Sequence, residues 1–218
     1  HAHREWFEEI AALGYTDLWS AESGGADAFT PLALAAAWTP SLRLGTAIAN
    51  VYSRGPATLA QSAASIGELA PGRFEFGIGS GSQPIIEMWN NGRFIKPATR
   101  VKEMVQFLRP ALAGERVVFN GETFQVDGFR LSQPPPSVPR IHVAALREGM
   151  LTVAGEVGDG AIINWLSAED VKKSVAVVRE AAAKAGRDPA EIEITARLMV
   201  NIDPPGAEAE LMRKRHIN

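Results

Sequence analysis

Leu42-Arg43-Leu44-Gly45-Thr46-Ala47-Ile48-Ala49-Asn50 and Arg73-Phe74-Glu75-Phe76-Gly77-Ile78-Gly79 are short, nearly continuous apolar runs. The segment between them reads as a helix. It opens at Gly55-Pro56, where proline's missing N–H falls at a position that has no helical acceptor, and it runs to about Ala70 before Pro71-Gly72 breaks it. An unbroken apolar run suits a strand covered on both faces, so strand, helix and strand together make a βα unit of a parallel sheet.

The same alternation continues outward in both directions. Further strand-like runs occupy residues 17–22, 140–145, 161–165 and 191–200. Thr30-Pro31 reads as an N-cap followed by a first-turn proline, and Thr39-Pro40 ends that helix. Val101, Met104, Val105 and Leu108 form an i, i+3, i+4, i+7 stripe. Arg147-Glu148-Gly149-Met150 starts a helix toward Gly155. Ser167 with Asp170 forms a capping box ahead of Val171, Val175 and Val178; Gly186 and Asp188-Pro189 then turn the chain into the next strand. Residues 115–139 break the rhythm with a hairpin (117–119, a tight Asn120-Gly121 turn, 124–126) and a stiff Pro134-Pro135-Pro136 connector.

A (β/α)8 TIM barrel needs about 250 residues. Six strands with a cut helix at each end therefore predict an α/β fold: one TIM-barrel domain over 1–218, truncated at both ends, with the hairpin and proline-rich insertion at about 115–139. An open doubly wound sheet is the competing arrangement. The chain opens without Met, with Trp6, Phe7, Ile10 and Leu13 already helical, and closes on an amphipathic start from Glu208, as expected for a piece of a longer protein.

Composition narrows the chemistry. The 218 residues are 46% apolar and 22% charged, carry a net charge of -3 and contain no cysteine. That excludes a disulfide-stapled module, a thiolate nucleophile and Cys-ligated zinc or iron–sulfur. His1, His3, His142 and His216 are too few and too scattered for a metal cluster, so no metal is expected. Mild acidity argues against nucleic acid as a partner, and no apolar run approaches the ~20 residues that span a bilayer. A cytoplasmic location, without membrane partners, is the expectation.

In a barrel the site lies at the C-terminal strand ends. Those ends carry Ser20-Ala21-Glu22-Ser23, Ala47-Ile48-Ala49-Asn50, Gly79-Ser80-Gly81-Ser82, Ala144-Ala145 and Asn164-Trp165. Most are small, leaving room for a flat, sizeable ligand. Among them only Glu22 is ionisable; it can serve as a general acid, as a polar hook, or as a carboxylate capping an amide of the Ser23-Gly24-Gly25 loop. The glycine cluster from Gly77 lacks G-x-G-x-x-G spacing and is followed by Gln83-Pro84, so relief of crowding and ligand contact both fit. Arg147 at a helix start suits an anion or an ordinary exposed turn. His142 reads as a satisfied core or barrel-wall histidine, Trp165 as packing or a stacking surface, Asp27 as solvated, and Arg54 as a salt-bridging residue across the top.

Several of these stretches resemble the bacterial luciferase-like monooxygenase superfamily. They are Leu13-Gly14-Tyr15-Thr16-Asp17-Leu18-Trp19-Ser20-Ala21-Glu22, Asp27-Ala28-Phe29-Thr30-Pro31-Leu32, the run from Leu42 to Ile48, Arg54-Gly55-Pro56, Gly72-Arg73-Phe74 with Gly77-Ile78-Gly79, and Gly158-Asp159-Gly160. The similarity is closest to the branch that uses the deazaflavin coenzyme F420, with FMN as the alternative cofactor.

The resemblance implies a (β/α)8 barrel with a cis non-prolyl peptide after its third strand, here Ala47–Ile48, against which the cofactor ring rests. It implies that Asn50, Gly79, Ser80 and Gly81 line the ring or its side chain, and that Ala144, Ala145, Gly149 and Met150 meet the phosphate and tail. Several deazaflavin enzymes have an Asp-His pair where this chain has Ala21-Glu22, and another branch has a carboxylate where it has Ser82; Glu22 stands in as the proton donor. The implied activity is hydride transfer between the deazaflavin and a small organic substrate, chosen partly by residues 115–139, in a homodimer. An FMN-dependent monooxygenase and a non-catalytic barrel subunit are the alternatives.

Overall fold

The structure, a computed structural model, describes residues 2–200. His1, His216 and the amphipathic segment from Glu208 lie outside the described residues. The strands are β1 (Asp17–Ser20), β2 (Arg43–Thr46), β3 (Ala49–Asn50), β4 (Phe74–Gly79), β5 (Val117–Asn120), β6 (Gln125–Phe129), β7 (Arg140–Ala144), β8 (Gly160–Asn164) and β9 (Glu193–Arg197). The helices are α1 (Ala2–Ala12), α2 (Thr30–Trp38), α3 (Pro56–Leu69), α4 (Pro97–Leu112), α5 (Glu148–Val157) and α6 (Ala168–Lys184).

The main sheet is parallel, in the order β1-β2-β4-β7-β8-β9, with β3 pairing β4. A doubly wound sheet reverses its strand order at a switch point; this order never reverses. The sheet also curls. Arg43 Nη2 on β2 lies 3.4 Å from Glu193 Oε1 on β9, although β9 stands four strands away in the pairing order. At ~4.8 Å per strand a flat sheet would separate them by about 19 Å, beyond the reach of the two side chains. The order and the curl are those of a barrel. Among the described residues β1 and β9 each pair on one side only, so the sheet is a partial barrel.

Alternation along the strands, hidden by their apolar composition, sorts the two faces. Leu18, Leu44, Phe74, Phe76, Ile78, Ile141, Val143, Ala161, Ile163 and Ile194 join one core with Leu32, Leu59, Met104, Phe107 and Leu108 of the helices. The residues between them line the concave face in layers. At the strand starts lies an ion-paired layer. Arg43 meets Asp17 (2.7 Å), Glu75 (3.3 Å) and Glu193 (3.4 Å), Arg140 meets Glu193 (2.6 Å), and His142 Nε2 meets Glu75 (2.7 Å). Burial works against the Arg43 charge, but the Asp17 bond and the neighbouring carboxylates outweigh it and raise its pKa. Above this layer the Trp19 and His142 rings meet edge-on at 5.8 Å, in room left by Gly45 and Gly160. The strand ends above carry small residues.

Local chemistry explains where the sequence expectations shift. The predicted run 42–50 divides into β2 and β3 around Ala47–Ile48, whose peptide is cis, as the resemblance implies. Thr30 is not the cap of α2: Phe29 occupies that position, and Asp27 Oδ1 accepts from the amides of Phe29 (2.8 Å) and Thr30 (3.0 Å). Asp27 is thus tied down rather than merely solvated. Partial burial opposes its ionisation, but hydrogen bonds from Thr30 and Phe29 and the nearby Arg54 hold it below the usual carboxylate range. The Ser167 cap of α6 is present. The hairpin connection is longer than an Asn-Gly turn, spanning 121–124, because the buried Glu103 carboxylate of α4 accepts from the amides of Glu122 (2.5 Å) and Thr123 (2.9 Å). Among the described residues no helix is long and apolar enough to cross a membrane.

Candidate functional site

Above the small-residue layer, at the C-terminal strand ends, lies a cavity of about 590 Å³. Its floor is where Ile48, Gly79 and Ala144 converge. A Cβ placed on Gly79 would lie 3.1 Å from both the Ala144 Cβ and Ile48 Cδ1, so even an alanine there would press on both neighbours. Ala47, Ser80 and Gly81 flank that floor, Ala145, Gly149 and Met150 form the wall toward α5, and Glu22 closes the β1 side. Of the residues that the sequence assigns to catalysis or cofactor binding, all but Asn50 line this cavity.

Asn50 is buried. Its amide donates to Glu22 Oε2 (3.0 Å) and its Oδ1 accepts from the Tyr52 amide (2.8 Å). It faces a smaller adjoining cavity of about 340 Å³, shared with Glu22, Asp27, Arg54 and Trp89. Its part is to hold the loop above β3 and one Glu22 oxygen.

Glu22 is firmly placed. Oε1 pairs with Arg54 and accepts from the Ala28 amide (3.3 Å), while Oε2 takes the Asn50 amide. The amides it binds belong to Ala28 and Asn50 rather than to the Ser23-Gly24-Gly25 loop. Arg54 crosses the top as anticipated, its guanidinium 4.9 Å from the Phe29 ring centroid. Among the cavity-lining residues Glu22 is the sole carboxylate, and Arg147 and Arg197 are the cations.

The first turn of α5 opens onto the cavity with Arg147 at its N-cap and no side chain capping it. Its leading amides and the helix dipole therefore favour an anion there. A mostly apolar lining with a few polar groups at its edges suits a flat organic ligand that is polar around its rim.

Sequence reading missed Phe94, Pro97, Ala98 and Arg197, which also line the cavity. The first three follow a π-helical turn (Ile85–Trp89) that has no sequence signature. Arg197 could have been found. It ends β9, but the predicted strand ran on to Val200 and drew attention past it.

His142 does not reach this site. It lies at the opposite end, where one donor atom each of Glu75, His142 and Glu193 fall within 4.8 Å of one another. Arg43 already pairs with both carboxylates there, and Arg140 pairs with Glu193 as well. His142 is satisfied only at Nε2; Nδ1 has no hydrogen-bond partner among the described residues.

Known proteins share this architecture. Residues 1–218 match the luciferase-like monooxygenase family model. The chain is 33% identical over 198 residues to the 5,10-methylenetetrahydromethanopterin reductase of Methanolobus tindarius, covering 90% of this chain and 60% of that protein. It is 30% identical over 217 residues to the F420-dependent glucose-6-phosphate dehydrogenase of Beutenbergia cavernae, covering 95% and 64%. The chain thus spans less than two thirds of the length of these curated relatives. Its fold is similar to that of monooxygenase RslO1 from Streptomyces bottropensis, with a TM-score of 0.81 and 25% identity over 98% of this chain and 68% of that one. Unreversed strand order, sheet curl and a match running the whole length of the sequence agree: the chain belongs to the luciferase-like monooxygenase family.

Proposed function

We propose that this chain forms the cofactor-binding part of an F420-dependent oxidoreductase acting on a small organic substrate. The observation that carries the reading is the floor of Ile48, Gly79 and Ala144, bare of bulky groups and opening beside the uncapped start of α5. A planar tricyclic ring fits the first feature and a phosphate-bearing tail the second. The dehydrogenase relative is named as F420-dependent, which favours the deazaflavin. The fold similarity to a monooxygenase keeps FMN as the second reading.

When bound, the deazaflavin supplies a carbon that gives or takes a hydride. The protein's own contributions are positional. Ile48, Gly79 and Ala144 would support the ring, with Ser80 and Gly81 beside it, and Ala145, Gly149, Met150 and the α5 amides would hold the tail. Phe94, Pro97 and Ala98 add apolar surface to the cavity lining. Glu22 would hold or release the proton that accompanies hydride transfer, while Arg54 and the Ala28 and Asn50 amides fix its carboxylate.

Those same bonds permit a plainer role, in which Glu22 merely ties the β1 loop to β3. Glu22→Gln separates the two. As a proton carrier, Glu22 leaves a variant whose cofactor affinity holds while kcat falls ~10²–10⁴-fold and one limb of the pH–rate profile disappears. An unchanged pH profile, with only a lower Tm, would leave Glu22 as an anchor.

A further inference from the structure

Three unusual features meet where β8 and β9 end. Trp165, immediately after β8, has φ +53, a left-handed backbone that bulky side chains rarely adopt, and the residue is 59% exposed. The conformation is held from β9, since the Trp165 amide donates to the Arg197 carbonyl (3.1 Å). The Arg197 guanidinium lies 5.4 Å from the Trp165 ring centroid while its side chain lines the cavity. No carboxylate among the described residues pairs with it. Asn164, opposite Arg197 in the β8–β9 ladder, also lines the cavity, and its Oδ1 is shielded from water without accepting a hydrogen bond from any described residue.

Each feature lacks a structural purpose of its own. A strained, exposed tryptophan contributes little to a core, and an acceptor withdrawn from water without a donor is destabilising. Together they make a receptor. An aromatic face steadies a guanidinium and leaves its planar fork free for two parallel hydrogen bonds, the geometry that carboxylates and phosphates match. The neighbouring amide oxygen lacks one donor.

We propose that Asn164, Trp165 and Arg197 form the substrate subsite, and that it takes an organic oxyanion, a carboxylate or phosphate ester, with an N–H or O–H on the same molecule donating to Asn164 Oδ1. The assignment to substrate rests on the reading above, in which the cofactor's own phosphate goes to the α5 start instead. A cofactor phosphate is the other source of the same chemistry.

Calorimetric titration of the intact chain with phenyl phosphate and with uncharged phenol, each with and without saturating F420, separates these cases. Phenyl phosphate is expected to bind at least ~10-fold more tightly than phenol, and Arg197→Gln to lose at least ~10-fold in phenyl phosphate affinity, the worth of a charge-assisted hydrogen-bond pair. Arg197→Lys should recover only part, because an ammonium cannot present the fork. F420 should bind wild type and Arg197→Gln alike, without displacing phenyl phosphate. Equal phenyl phosphate affinity in wild type and Arg197→Gln overturns the subsite. F420 displacing phenyl phosphate, together with weaker F420 binding by Arg197→Gln, reassigns the guanidinium to the cofactor and overturns the substrate role. Arg197-dependent phenyl phosphate binding by a wild-type chain that takes up no F420 supports the oxyanion subsite and removes the cofactor reading alone.

Discussion

Ala144→Phe is expected to leave a folded protein with little affinity for the deazaflavin proposed above. Ala144 ends β7 on the concave face, half-buried, and its Cβ forms part of the cavity floor beside Ile48 and Gly79. A benzyl group there has one open direction, upward into the space assigned to the ring. No buried contact is lost, so thermal unfolding should stay close to wild type. The added ring and the ligand cannot share that space, and affinity should fall at least ~100-fold, or ~2.7 kcal/mol. Fluorescence titration of both proteins with F420 reads this directly. Binding within ~3-fold of wild type would place the ligand off this floor.

Gly77→Ala is expected to cost the fold rather than the ligand. Gly77 sits on β4 opposite the end of β2, where Thr46 Oγ1 donates to the Gly77 carbonyl (2.7 Å). A Cβ at Gly77 would overlap the Thr46 carbonyl oxygen and come within 2.6 Å of Ile162 Cδ1. Ile162 could turn aside, but Thr46 is backbone, and the next amide, Ala47, donates to the Ser20 carbonyl (2.6 Å). Relief therefore means separating β2 from its neighbours. Overpacking against side chains costs ~1–3 kcal/mol, and a backbone overlap exceeds that. Against a total stability of ~5–15 kcal/mol the loss is severe. The Tm should drop by at least ~6 °C, the shift expected for ~3 kcal/mol in a chain of this size. A drop below ~2 °C would mean that the strand ends are less tightly joined than their geometry indicates.

Elements marked by local chemistry were legible in the sequence. Prolines at first-turn positions, the Ser167 cap and the Val101–Leu108 stripe located helices that the structure confirms, and the rule that barrel sites lie at strand ends located the cavity. The concave face was harder to read. Gly45, Gly77 and Gly160 interrupt the polar half of the alternation, so strands with one apolar face look apolar on both. The layer around Arg43 was invisible for another reason: Arg43 and Glu193 are 150 positions apart and meet only because the sheet curls. The backbone ties of Asp27 and Asn50 were not legible because side-chain bonds to backbone amides leave little trace in residue type. The hairpin connection was misjudged because a buried carboxylate on another element, Glu103, outweighed the local preference of Asn120-Gly121.

The proposed cofactor site rests on the floor made by Ile48, Gly79 and Ala144. Its most direct test is a side-by-side titration of the chain with F420 and FMN, followed by cofactor absorbance and fluorescence, with Ala144→Phe in parallel. Saturable one-to-one uptake of F420 is expected, with FMN bound more weakly, and no uptake by Ala144→Phe at the same concentrations. A folded wild-type chain that binds neither molecule, or an Ala144→Phe protein that binds as well as wild type, would contradict it.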